Sequence, residues 1–92
     1  MKYSIRPTGK FSRDLKRAVR RGMDPAMLAA VVKLLANGEQ LPEKYHDHPL
    51  HGDFQGCREC HIMPDWLLIY EIDEDALFLY LTRTGSHSDL FG

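Results

Sequence analysis

The spacing of apolar residues predicts that the chain begins with a short strand and an amphipathic helix. Residues 2–6 alternate apolar and polar side chains and stop at Pro7, a pattern typical of a strand at the edge of a sheet. From about Thr8 the apolar residues recur at helical intervals, and Gly22 is placed to cap the end of this helix. One face of the helix should therefore pack on a core.

A second helix is predicted directly after the first. Asp24 and Pro25 are typical of an N-cap followed by a first helical residue, and Asn37 with Gly38 ends the helical spacing. Because the connection between the two helices is so short, they should form an antiparallel hairpin.

The second half of the chain predicts three strands. Residues 38–52 follow neither period, and a long irregular loop in a small protein is more often functional than idle. The middle strand is almost continuously apolar, which is typical of a central strand covered on both faces. The predicted fold is α+β with the order β-α-α-β-β-β, an antiparallel sheet that carries the helical hairpin on one face. The predicted strands and the final tail span residues 54–63, 66–72, 76–83 and 84–92.

Composition predicts an ordinary water-soluble protein. With 92 residues, of which 43% are hydrophobic and 27% charged, the chain is long enough for one domain over residues 1–92. Neither a signal peptide nor a run of membrane-spanning length is visible, so we expect a cytoplasmic protein without membrane contact.

The two signs of charge are segregated along the chain. Residues 1–38 contain nine Lys/Arg and two Asp, whereas residues 39–92 contain three Lys/Arg and eleven Asp/Glu. A basic patch of this kind suggests a polyanionic partner, although for a charge run alone the favoured interpretation is a solvated helix face paired with the acidic half. The basic side chains of the first helix that would form the patch are Lys10, Arg13, Arg17, Arg20 and Arg21.

Cys57 to His61 matches the C-x-x-C-H pattern of covalent haem attachment. On a strand, however, Cys57 and Cys60 would point to opposite faces and could not hold one ring. The same parity argues against a zinc site built from these cysteines and the nearby His46, His48 and His51, since only one C-x-x-C pair is present. We therefore predict no cofactor and no metal, with Cys60 in the core.

An acid–base site is the stronger interpretation. By alternation His61 shares the open face of its strand with Glu59, and the ends of strands in a meander meet the neighbouring loops. His48, Asp65, Arg83 and His87 lie at such ends and could converge there. RNA transesterification needs a base, an acid and positive charge near the phosphorus, which histidines can provide at neutral pH.

Aromatic residues extend this hypothesis. Trp66 and Phe91 could offer faces on which an unpaired base stacks. Each candidate also has a purely structural interpretation: Asp65 would shape its turn, Trp66 would belong to the core, and Arg83 would pair with a carboxylate.

Several separated motifs resemble the YafQ-type toxins of the RelE/ParE superfamily, which have a RelE-like fold. The resemblance is dense from Leu41 to the C-terminus and rests on element order and basic character before that. The cysteines around Arg58 are departures from the pattern. The matching segments are Asp47-His48-Pro49-Leu50, Arg58 to His61, Pro64-Asp65-Trp66, Leu68-Ile69-Tyr70, Arg83 to His87 and Leu90-Phe91-Gly92.

The resemblance implies a toxin of a type II toxin–antitoxin system that cleaves mRNA in the ribosomal A site without a metal and is held inactive by a cognate antitoxin. It implies His87 as general acid and His48 as base, with His61 and Asp65 orienting substrate or stabilising charge. The basic helix would face ribosomal RNA or the antitoxin. The functional residues implied are His48, His61, Asp65, Trp66, Arg83, His87 and Phe91.

A second function class remains open. A ParE-like toxin that binds DNA gyrase without catalysis would use the same fold and would need no acid–base histidines. The grouping of His48, His61 and His87 favours the endoribonuclease.

Overall fold

The computed structural model describes all residues from 1 to 92. Two single-turn 3₁₀ segments, Glu43–Tyr45 and Gly52–Phe54, flank the second strand. None of the helices combines the length and apolar character needed to cross a membrane. The helices and strands are β1 Ser4–Pro7, α1 Gly9–Arg20, α2 Pro25–Ala36, β2 His48–Pro49, β3 Arg58–Met63, β4 Trp66–Asp73, β5 Phe78–Gly85 and α3 His87–Phe91.

Side chains begin both long helices where the sequence predicts. The Thr8 hydroxyl oxygen accepts a hydrogen bond from the backbone N–H of Phe11 at 3.0 Å, and the Asp24 carboxylate accepts one from Ala26 at 2.9 Å. These bonds satisfy donors that the first turn of a helix leaves without partners. Gly22, which follows the C-cap residue Arg21 of α1, adopts a φ of +93°, the left-handed conformation that glycine allows at helix ends.

The strands form one sheet in the order β1-β5-β4-β3-β2, with β4 at its centre as predicted. Strands β3, β4 and β5 form the predicted antiparallel meander. The α+β class is confirmed, with one difference: β1 pairs with β5 in parallel, so the sheet is mixed. Parallel neighbours need a long connection, and here α1, α2 and the strands β2 to β4 lie between them in sequence.

The larger core lies between the sheet and the two long helices. Phe11 and Ala18 of α1 and Val31 of α2 are buried there against the side chains of β3, β4 and β5. This arrangement confirms that the helices cover one face. From the strands the cluster receives Cys60, Ile62, Trp66, Leu68, Tyr70, Leu79 and Leu81.

A smaller core covers the opposite face of the sheet. Leu67 and Ile69 of β4 pack there with Cys57 and with Leu90 of α3. Cys57 and Cys60 are therefore free thiols on opposite faces, as strand parity predicts. Burial raises the pKa of Cys60 to about 12, so this thiol is held in its protonated form.

Two elements escape prediction because they are too short to show a period. Strand β2 has two residues, and α3 has five. The tail predicted over residues 84–92 instead completes β5 and forms α3, whose start is fixed by Ser86 and Asp89 in a capping box. Strand β3 begins at Arg58, later than predicted, because residues 52–54 form a 3₁₀ turn. Strand β5 begins at Phe78 because Leu77 still belongs to the preceding turn with a φ of +58°.

Candidate active site

Four imidazoles lie together at the edge of the sheet where β3 meets the loop before it and the helix after β5. His61, on β3, is at the centre of this histidine cluster, which consists of His46, His48, His61 and His87. The His61 ring centroid lies 5.6 Å from that of His46, 6.1 Å from that of His48 and 5.7 Å from that of His87. The predicted convergence of His48, His61 and His87 is therefore observed, and His46 joins them.

The short strand β2 places His48. His48 pairs with Glu59 across the β2–β3 ladder. Nδ1 of the His48 ring lies 2.7 Å from the carbonyl oxygen of His46. A carbonyl oxygen can only accept, so Nδ1 is the donor in this contact. In the neutral ring Nε2 is then the nitrogen that can take up a proton.

Glu59 lies buried between two of the histidines, with only 4% of its surface exposed. Its Oε1 is 3.4 Å from Nε2 of His48 and 3.5 Å from Nε2 of His61. Sequence reasoning placed Glu59 on the face of His61 but gave it no role. The ligand atoms of these three residues lie within 4.8 Å of one another, so they are also the group that could hold a metal ion.

The turn between β3 and β4 orients the fourth imidazole. Asp65 accepts a hydrogen bond from the backbone N–H of His87 at 2.9 Å, and the same oxygen lies 2.6 Å from Nδ1 of that ring. The backbone N–H and then the imidazole of His87 lower the pKa of Asp65. An ionised carboxylate only accepts, so Nδ1 of His87 donates to it and Nε2 is the ring nitrogen left for another contact.

The loop that carries His48 is fixed at Asp47. Its carboxylate accepts hydrogen bonds from Arg58 at 3.1 and 3.2 Å and from the Tyr70 hydroxyl at 2.6 Å. These contacts raise the pKa of Arg58, while burial and then Asp47 raise the pKa of Tyr70. Asp47 therefore anchors this loop to β3 and β4 at the residue directly before His48.

Trp66 is a core residue, and the prediction that it stacks on a base is wrong. Only 2% of its surface is exposed, and its ring belongs to the core under the helices. The indole N–H donates to the Thr84 hydroxyl at 2.9 Å, and this hydroxyl donates to the carbonyl of Leu67 at 2.6 Å. Trp66 thus holds β4 against β5, as its structural interpretation required.

Phe91 keeps an exposed face. It lies one helical turn after His87 on α3, and residues four apart share one side of a helix. Its ring makes an edge-to-face contact with Phe54, with centroids 5.8 Å apart, while half of its surface remains exposed. Its position still suits base stacking beside His87.

Arg83 lies on the helix side of the sheet and is not part of the histidine cluster, which corrects its predicted position. Its Nε and Nη2 donate to the Asp14 carboxylate at 2.6 and 3.2 Å. This pairing raises the pKa of Arg83. Asp14, only 7% exposed, also accepts from the backbone N–H of Thr84 at 3.2 Å, so it joins α1 to β5.

The basic side chains of α1 fall into two groups. A groove of about 400 Å³, hereafter the basic groove, is lined by Lys10, Arg13, Asp14, Arg17, Arg20 and Arg83. Lys10, Arg13 and Arg20 have no acidic partner in it, whereas Arg21 pairs with Asp89 at 2.7 Å outside it. Arg17 lies 3.4 Å from Asp14 and 3.8 Å from Asp89. Part of the predicted patch is therefore free and part is used to hold α3.

Comparison with known proteins shows the family of this chain. The profile of the YafQ family, described as bacterial toxins of type II toxin–antitoxin systems, matches residues 3–92. The mRNA interferase toxin YafQ of Escherichia coli K12 is 42% identical over 89 residues, which cover 96% of this chain and 95% of that protein.

Solved structures give the same result. YafQ in the crystal structure of the E. coli DinJ–YafQ complex superimposes with a TM-score of 0.89 at 41% identity, covering 98% of this chain and 99% of that one. A metal-bound toxin from Helicobacter pylori superimposes with a TM-score of 0.91 at 46% identity, covering 97% and 99%. The class of this chain is thus that of the bacterial type II toxins. Within that class it belongs to the YafQ family.

Proposed function

We propose that this toxin is a ribosome-dependent endoribonuclease that cleaves mRNA in the A site by metal-free acid–base transesterification. The observation that carries the proposal is the position of His61 between two other imidazoles, each 5.7 to 6.1 Å away. A phosphate group bound at His61 would therefore have a candidate base on one side and a candidate acid on the other.

The geometry suggests a role for each imidazole. Nε2 of His48 takes the proton from the ribose 2′-hydroxyl, and the 2′-oxygen attacks phosphorus. The bond from phosphorus to the 5′-oxygen breaks, and His87 gives its Nε2 proton to that oxygen. The products are a 2′,3′-cyclic phosphate and a 5′-hydroxyl, with protons and bonds balanced. His61 faces the phosphate between them and stabilises the charge that develops on its oxygens.

Two carboxylates position these rings. Asp65 accepts from Nδ1 of His87 and so directs the opposite nitrogen of the ring toward the leaving oxygen. Glu59 is close to both His48 and His61 and favours positive charge on them once a proton has been taken up. Neither carboxylate needs to exchange a proton with the substrate.

The basic groove supplies the proposed contact with the ribosome. Lys10, Arg13 and Arg20 have no acidic partners within the chain, so they can meet the phosphates of ribosomal RNA. The E. coli relative forms a complex with DinJ. We infer a cognate antitoxin here as well, and an acidic antitoxin segment could compete with RNA for the same groove.

The proposal is tested by mapping mRNA 5′ ends on translating ribosomes after addition of the purified protein. Wild-type protein should produce defined ends within codons in the A site, and His87→Ala should lose them. His51→Ala is the matched control, because His51 is exposed and lies outside the histidine cluster. Expression of both proteins in cells gives a second readout. Equal growth arrest by wild type and His87→Ala would contradict the catalytic proposal and favour a binding toxin of the ParE kind.

A further inference from the structure

A second cavity opens directly beside the histidine cluster. It has a volume of about 860 Å³ and lies between α2, the 3₁₀ turn Glu43–Tyr45 and the end of β3. We propose that this α2 pocket receives the nucleobase next to the scissile phosphate of the mRNA and so helps to set which nucleotide is cleaved. The inference rests on the proposed function and assigns a substrate subsite to it.

Small side chains on α2 create the room. Ala26 and Ala30 are one helical turn apart on the same side of the helix, and both line the pocket. Met27 and Met63 flank them and remain 40% and 41% exposed. The flexible, polarisable side chains of two partly exposed methionines suit a planar aromatic ligand.

The pocket is continuous with the proposed catalytic residues. His46 and His61 line it and belong to the histidine cluster at the same time. A ligand in the pocket therefore contacts the imidazole that faces the scissile phosphate in the proposed mechanism. In a nucleotide the base and the phosphate are joined through one sugar, so both could be bound together.

Polar and aromatic groups at the rim complement a nucleotide. Lys44 has no acidic partner, and its Nζ lies 5.1 Å from the centroid of the Tyr45 ring. His46 adopts a left-handed backbone with φ 49° and ψ 44°, which is uncommon for a residue other than glycine. Nδ1 of His48 donates to the backbone carbonyl of His46, so the backbone at the pocket rim is linked to the proposed base.

Single-stranded RNA is recognised through such features. Unpaired bases stack on aromatic and imidazole rings, and a cation at the rim meets the backbone phosphate. The wall formed by α2 is apolar, so it can select by the size and shape of the base, while the imidazoles can select by hydrogen bonding.

The test compares two substitutions on one helix. Ala30→Leu fills the pocket, whereas Ala29→Leu makes the same change at an exposed residue that does not line it. Methionine methyl groups labelled with ¹³C report binding as each of the four nucleoside 3′-monophosphates is added. The Met27 and Met63 signals should shift in wild type and Ala29→Leu and stay unchanged in Ala30→Leu, with Met23 as the internal reference.

Cleavage mapping on ribosomes gives the second readout. Ala30→Leu should lower cleavage about tenfold or more and change the nucleotide preference next to the cut, while Ala29→Leu keeps both. Met27→Ala enlarges the pocket and should also change the nucleotide preference next to the cut. It replaces Ala30→Leu in this test if Ala30→Leu does not fold.

The outcomes separate the subsite from the proposed function. Methyl shifts without any mRNA cleavage by wild type would contradict the endoribonuclease and leave the nucleotide site supported. Absence of Met27 and Met63 shifts with all four nucleotides would overturn the subsite. It would also be overturned if Ala30→Leu weakened antitoxin binding only, since the pocket would then be a protein-docking site.

Discussion

Two buried carboxylates, Asp14 and Glu59, lie on opposite faces of the sheet and have different kinds of partner. Asp14 is bound to Arg83 at 2.6 and 3.2 Å and to the backbone N–H of Thr84. Glu59 has two imidazoles at 3.4 and 3.5 Å. An arginine is always charged, so the first pair is permanent, whereas an imidazole can gain or lose its proton near neutral pH. Asp14 therefore has the contacts of a carboxylate that stabilises the fold, whereas Glu59 has those expected if it supports the proposed acid–base chemistry.

Of the two carboxylates, Glu59 is expected to have the larger effect on cleavage. Glu59→Gln keeps the shape of the side chain but removes the charge near His48 and His61. Cleavage on ribosomes should fall by about 10²-fold, since charge stabilisation in the transition state is lost. The melting temperature should stay near the wild-type value. If cleavage were unchanged, Glu59 would be a structural residue like Asp14.

Asp14→Asn should lower stability and leave cleavage nearly unchanged, the reverse of Glu59→Gln. The Arg83 guanidinium would lose its ion pair, and the connection from α1 to β5 would weaken. The free energy of unfolding should fall by about 2 kcal/mol, less than for a fully buried pair because Arg83 is partly exposed. Urea denaturation measures this change, and cleavage by the folded variant should stay within a few-fold of wild type. A stability equal to wild type would remove the contrast between the two carboxylates.

Metal binding gives a further test of Glu59. His48, Glu59 and His61 could hold a divalent transition metal, which would occupy the nitrogens that the proposed mechanism uses. A chelator should therefore leave cleavage intact, while equimolar Cu²⁺ should inhibit it by about tenfold or more, and Glu59→Gln should weaken that inhibition. Loss of activity with the chelator would instead indicate a catalytic metal.

Substitutions in the basic groove should have a smaller effect, and it should be on ribosome binding. Charge reversal at Arg13 and Arg20, which have no acidic partners, should weaken ribosome binding and flatten its dependence on salt concentration. Arg21→Glu is the comparison variant, because Arg21 is already paired with Asp89. An unchanged salt slope for the Arg13 and Arg20 variants would exclude this groove as the ribosomal contact.

The smallest effect concerns Asp89, which holds the start of α3. The backbone N–H of Ser86, followed by the Arg21 guanidinium, lowers the pKa of Asp89 to about 2. A carboxyl group whose pKa is lowered by folding stabilises the protein above its ordinary pKa, and this contribution is lost as the pH falls toward the folded value. Asp89→Asn should therefore be less stable than wild type at pH 7. The difference should shrink between about pH 4 and pH 2 in denaturation measured at each pH.

The sequence predicts the parts of the fold that depend on local pattern. Thr8 and Asp24 cap helices because their side chains reach the adjacent backbone, and the apolar run of β4 marks the central strand. The convergence of His48, His61 and His87 is also predictable, since strand ends in a meander meet neighbouring loops. These inferences need only the period of the chain and the order of its elements.

Features that depend on pairing between distant residues could not be predicted. Asp14 meets Arg83 only because α1 lies over β5, and Glu59 meets His48 only because two residues form β2. The sequence of Trp66 and its neighbours fits both base stacking and core packing. Only the contact of its indole with Thr84 on the adjacent strand distinguishes the two. Sequence alternation assigns a residue to a face of a strand but does not say what covers that face.

The proposed proton transfers by His48 and His87 are tested most directly by the pH dependence of single-turnover cleavage on ribosomes in the presence of a chelator. Acid–base catalysis by this pair predicts a bell-shaped profile, because the base must be neutral and the acid protonated. The acidic limb should disappear in His48→Ala and the alkaline limb in His87→Ala, with residual rates lower by about 10²–10⁴-fold. A wild-type profile without these limbs, or limbs that persist in both variants, would contradict acid–base catalysis by this pair.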